Sequence, residues 1–169
     1  MRRCLLAACL CVPVQAPHAQ VAAEADLKAA LVFNFAQFTE WGEREPGVGQ
    51  PFTICYAGAE VAVAFDQIAT RSIRGRAVVP RPIAAEGPYE GCQVVYWHAG
   101  NAQRTFPAKA GQGVLTIGNG VEFLSRGGMI ETHVEGGRFV FSISLEPAQA
   151  AGLRFSSKLL RLAKGAAPQ

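Results

Sequence analysis

The chain has 169 residues, half of them hydrophobic, and 16 Lys and Arg against 13 Asp and Glu give a formal net charge of +3. Arg2 and Arg3 sit in the first segment; without them 14 basic residues face 13 acidic ones, a net charge of +1, so charge gives no argument for a nucleic-acid partner. With no internal repeat and no low-complexity linker, this length fits one domain around one core.

Arg2 and Arg3, the apolar run from Leu5 to Val14 and the small residues from Ala16 to Ala23 have the layout of a secretory signal peptide, assigned to residues 1–23. Pro17 blocks cleavage after Ala16, which leaves Ala19 and Ala23 as the better sites. Leu6-Ala7-Ala8-Cys9 has the form of a lipoprotein box, but its apolar core is too short for a lipid anchor. The run is also much shorter than the roughly 20 residues of a membrane span. The chain is therefore expected to be exported, with no stable membrane insertion. Cys4, Cys9 and Cys11 leave with this segment, and Cys55 and Cys92 remain. An even pair in an exported chain favours a disulfide; two separately buried thiols acting as small hydrophobes are the alternative.

The domain is expected over residues 24–165, with 166–169 as a tail. Leu27, Leu31, Phe38 and Trp41 keep helical spacing from Ala25 to Trp41, while Val32, Phe33, Phe35 and Ala36 fill the rest of the wheel, so this helix is expected to be buried or covered. Strands are predicted at Phe52 to Tyr56, Arg76 to Pro82, Gln93 to Trp97 and Val114 to Ile117, and helices at Glu60 to Ala69 and around Asn101 to Phe106. Val94 to Trp97 and Val114 to Ile117 are short continuous apolar runs, the pattern of strands covered on both faces. Period-two alternation at Ile130, Thr132 and Val134, then at Phe139, Phe141, Ile143 and Leu145, flanks Gly136-Gly137 and predicts an antiparallel hairpin. Beyond Pro147, the spacing of Phe155, Leu159, Leu162 and Ala163 predicts a final amphipathic helix, with Ser156 and Ser157 near its start and Arg154, Lys158 and Arg161 on another face. The order predicts a single-domain, three-layer α/β fold with a mixed sheet.

Candidate chemistry is sparse. His98 and Asn119 follow strands, where open α/β folds bind ligands, and are the first residues to test for a ligand or catalytic site. Neither has an evident catalytic partner, G-x-S-x-G is absent, and a disulfide would remove both thiols from nucleophilic duty. His133 alternates with core positions and is expected to face solvent; His18 leaves with the leader. No metal-ligand spacing remains, and Gly111, Gly113, Gly118 and Gly120 bracket a strand rather than forming a phosphate loop. No catalytic residue and no cofactor is expected. Asn34, polar in an apolar helix, is read as a buried amide that specifies the fold. Trp41 at the helix end either anchors a partner or plugs the core. Arg154, Lys158 and Arg161, extended by Lys164, form a basic ridge that is either a solvated face or a dock for an acidic patch.

K-A-A-x-x-x-N-F-x-x-F-x-x-W at Lys28 to Trp41, V-L-T-I at Val114 to Ile117, G-G-M-I at Gly127 to Ile130, F-x-I-x-L at Phe141 to Leu145 and A-G-L-x-x-S-S-x-L-L at Ala151 to Leu160 resemble the YfiR-like family in order along the chain. That resemblance implies a non-enzymatic periplasmic regulator that binds the periplasmic sensor domain of an inner-membrane diguanylate cyclase and represses cyclic di-GMP synthesis. It also implies a homodimer, and it supports the Cys55–Cys92 bond, since the family uses cysteines near these places. Family members can carry a second pair further on; no cysteine follows Cys92, so at most one bond forms. Gly42 stands where the family usually has Pro, and Ser144 where it usually has Asn. The alternatives are a regulator of a sensor kinase or outer-membrane component, and a small-ligand binding protein or enzyme working at His98 and Asn119.

Overall fold

A computed structural model describes residues 17–45, 47, 49–99, 110–120, 122–164 and 166–167. Helix α1, Pro17–Gln37, opens the described chain. Pro17 sits at the first helical position, where a missing N–H is tolerated. The helix ends because the Phe38 N–H is shared between the Asn34 and Phe35 carbonyls and the Thr39 hydroxyl donates to the Phe35 carbonyl at 2.8 Å, turning the chain into strand β1, Thr39–Glu40.

Strand β2, Phe52–Ala57, leads into helix α2, Ala62–Gln67, which is flanked by 3-10 turns at Ala59–Val61 and Ile68–Thr70. There follow β3, Ser72–Ile73; β4, Arg76–Pro82; β5, Val94–Trp97; β6, Leu115–Gly118; β7, Ile130–Glu135; and β8, Arg138–Ser144. Helix α3, Leu145–Ala150, strand β9, Arg154–Phe155, helix α4, Ser157–Leu162, and strand β10, Ala166–Ala167, complete the order. One sheet runs β10-β8-β7-β6-β5-β2-β4-β3, and β1 pairs β9 apart from it. The centre, from β4 through β2, β5 and β6 to β7, is parallel; β7 with β8 and β3 with β4 are antiparallel. The mixed sheet, the closing hairpin and the α/β class agree with expectation. Gly136 and Gly137 both have positive φ, 56° and 75°, which a two-residue turn matched to strand twist requires.

Every residue of β5 and β6 is buried, because both sheet faces are covered. On the first face α1 and α2 pack over Ile54, Val94, Leu115 and Ile117; Tyr56, Phe65 and Tyr96 stack with centroids 4.7 and 5.4 Å apart, and Trp41 meets Phe52 edge-on at 5.1 Å. On the second face Trp97 lies between Tyr89 and Phe123 and donates from Nε1 to the Ala85 carbonyl at 2.8 Å. Burying side chains of this size contributes about 2–3 kcal/mol each. Among the described residues this second layer consists of loops, and the helix expected at 101–106 lies outside them.

Three expectations change. The final helix is shorter than predicted. Phe155 pairs with Thr39 as strand, and Ser156 caps α4 by accepting from the Leu159 N–H at 3.3 Å, so the helix cannot begin before Ser157. Leu162, placed on its buried stripe, is 66% exposed, whereas Leu159 is buried. Asn34 is exposed, not a buried amide: the buried face of α1 is Lys28, Ala29, Val32, Phe33, Phe35 and Ala36, and residue 34 falls opposite it, as does the 43% exposed Leu27. Trp41, beyond the end of α1, is 1% exposed, so it fills the core and presents nothing to a partner.

Candidate functional site

Cys55 and Cys92 are bonded, with Cα atoms 5.8 Å apart, and tie β2 to the segment entering β5. Both are buried, and the Arg81 guanidinium lies over the bond, donating to Cys92 Sγ at 3.0 Å and to the Glu90 carbonyl at 2.5 Å.

The sheet changes winding between β2 and β5. From β2 the chain crosses through α2 on the first face to reach β4, on one side of β2; β5 then pairs on the other side. The connection leaving β5 begins and ends on the second face, where Ala99 and Ala110 pack. Such a switch opens a crevice beyond the carboxyl ends of the two strands. Here it holds Gly58 after β2 and His98 after β5, whose N–H donates to the Ala57 carbonyl at 2.9 Å.

A cavity of about 120 Å³ occupies this crevice, lined by Glu24, Lys28, Glu60, Val61 and His98 among others. Lys28 is 7% exposed, and its ammonium donates to Glu24 one helical turn earlier at 2.5 Å. His98 is 8% exposed, with Nδ1 3.4 Å from the Tyr96 hydroxyl. Burial holds the His98 imidazole below its usual pKa and the Lys28 charge adds to this, while Glu60 and Glu24 oppose it. The site therefore presents a neutral imidazole beside a buried cation. Burial, with Glu24 nearby, also pushes the Tyr96 hydroxyl up.

Asn119, the other strand-end residue singled out from sequence, does not line this cavity; its Oδ1 accepts from the Ala99 N–H at 2.8 Å and pins the loop after β5. Sequence reasoning missed Lys28, Glu24 and Glu60. The Glu24–Lys28 spacing of four on a helix was the available signal.

The basic ridge is dispersed over two elements but remains exposed. Arg154 is on β9, Lys158 and Arg161 are on α4, and the Lys158 ammonium stands 5.0 Å above the Phe38 ring. Lys164 is drawn away by an ion pair with Glu135. His133 is half-buried on β7, with its Nδ1 enclosed and unpaired. Among the described residues no helix is long and apolar enough to cross a membrane, and no cluster of His, Cys, Asp or Glu has the makings of a metal site.

Residues 25–164 match the family model described as YfiR/HmsC-like. No curated protein matches the chain.

Proposed function

The chain belongs to the YfiR/HmsC-like family, and from that premise we propose that it is a non-enzymatic regulator that works in the periplasm. In this reading it binds the periplasmic sensor domain of an inner-membrane diguanylate cyclase and lowers cyclic di-GMP output. The observation that carries the reading is the family match, which runs through 140 residues counted from 25 to 164. The Cys55–Cys92 bond agrees with an oxidising compartment, as does the export segment read at residues 1–23. Repression is a population shift: the regulator binds one conformation of the sensor domain better than the other and favours it by the difference in affinity.

We assign the exposed cations Arg154, Lys158 and Arg161 as the docking surface for an acidic patch on that sensor domain, and the working unit is a homodimer. The test is a pull-down of the oxidised protein against the periplasmic domain of the membrane signalling protein encoded beside it, at low salt, with and without reductant. Capture of that domain supports the reading, and loss of capture on reduction adds a redox gate. No capture in either state removes it. Capture that survives Lys158→Glu combined with Arg161→Glu leaves the regulator in place and moves its docking surface elsewhere.

A further inference from the structure

The buried ammonium at the winding switch has more donors than partners. Lys28 carries three N–H donors, and among the described residues Glu24 is its partner. A buried cation is costly unless its donors are satisfied. Lys28 lines the cavity together with His98, at the place where parallel α/β sheets gather ligands. The Glu60 carboxylate stands at the same opening, with one oxygen 3.4 Å from where a Gly58 side chain would begin.

We propose that this cavity is a binding site for a small zwitterion of the α-amino acid class. Lys28 takes the ligand carboxylate, with the His98 ring beside it, and Glu60 takes the ligand ammonium. Charge selects the class. A carboxylate can use the Lys28 donors that Glu24 leaves over and an ammonium can use Glu60, so a ligand carrying both signs matches both walls. The cavity is small, about 120 Å³, so the smallest members of the class, glycine, alanine and serine, match it best. Gly58 belongs to the design, because its φ of 128° and missing Cβ let His98 pack against the strand end. Occupancy would tie α1, which carries Lys28, to the ends of β2 and β5, giving the regulator an effector input separate from its exposed basic surface.

The experiment is NMR of the His98 ring in the oxidised mature protein, titrated with glycine, L-alanine and L-serine, and with acetate and methylamine as half-ligands. The expected result is a saturable His98 shift with the amino acids and binding at least about tenfold weaker for each half-ligand, the loss of one charge-assisted contact. Lys28→Met is expected to weaken glycine binding by about tenfold or more. If that variant does not fold, Glu60→Gln, at an exposed side chain, carries the same expectation. No shift with any amino acid at millimolar concentration overturns the proposal. So does an equal response to acetate or methylamine alone, or unchanged affinity in a folded Lys28→Met or Glu60→Gln protein.

Discussion

A Cβ added to Gly58 would stand 2.7 Å from the Cβ of His98, closer than side chains approach one another. The two residues end the neighbouring strands β2 and β5, so their contact fixes how closely the winding switch closes. Gly58 has φ 128° and ψ 116°, a conformation open to glycine and strained for any other residue. Gly58→Ala therefore combines backbone strain with a clash between strand ends, and a loss of about 2–4 kcal/mol is expected in denaturant unfolding. A loss below about 0.5 kcal/mol, the ordinary surface range, would mean the strand ends yield and the switch is not rigid.

His98 makes stability depend on pH with a definite sign. Its folded pKa lies below the ordinary imidazole value of 6.5 because burial and Lys28 disfavour the imidazolium. As pH falls through the unfolded value, the unfolded chain takes up a proton that the folded chain refuses, so stability is lost from about pH 6.5 down to the depressed folded pKa and levels off below it. The midpoint of thermal unfolding is expected to drop as pH falls below about 6.5, and His98→Gln to flatten that slope. An unchanged slope in His98→Gln would assign the proton uptake to other groups.

The Cys55–Cys92 bond closes a loop with a sequence separation of 37. In the chain-entropy account such a loop contributes about 4 kcal/mol. Cys55 is wholly buried and Cys92 is 4% exposed, so external thiols reach the bond mainly when the β5 entry opens. Reduction is expected to be slow in buffer, faster in mild denaturant, and to lower stability by about 4 kcal/mol. Cys55→Ser unfolding at the same denaturant midpoint as the oxidised parent would show that the bond is dispensable for the fold.

What the sequence made legible follows from periodicity. The central strands announce themselves as unbroken apolar runs, and Arg76–Pro82 is found at the bounds expected. Gly136-Gly137 marks the hairpin because both positions need positive φ. Alternation overstates burial toward the hairpin tip, where Val134 is 55% exposed while Thr132 is buried. The last helix was misjudged because Phe155 has a strand partner, Thr39, more than a hundred residues away, and spacing carries no information about such pairing. At the candidate site His98 was legible from its place after an apolar run. Lys28 was not, since a lysine on a helix reads as solvated until the fold brings β5 beneath it.

Phe123 gives the second sheet face its sharpest dependence on glycine. Its ring lies against Trp97 with centroids 5.8 Å apart, and a Cβ on Gly128 would fall 2.2 Å from ring carbons of Phe123; one on Gly118 would fall 2.6 Å from them. The Gly128 N–H also donates to the Phe123 carbonyl at 2.9 Å, so the two backbones cannot move apart without losing that bond. Gly128→Ala is expected to cost about 2–4 kcal/mol by forcing the ring out of place. Phe123→Ala alone is expected to cost about 3–5 kcal/mol through the cavity it leaves. Because both act on the same volume, the double variant should be more stable than the sum of the two losses implies, by about 1–3 kcal/mol. Strict additivity in a double-mutant cycle would mean that the Gly128 penalty lies in the backbone alone, and that Phe123 is not what requires glycine there.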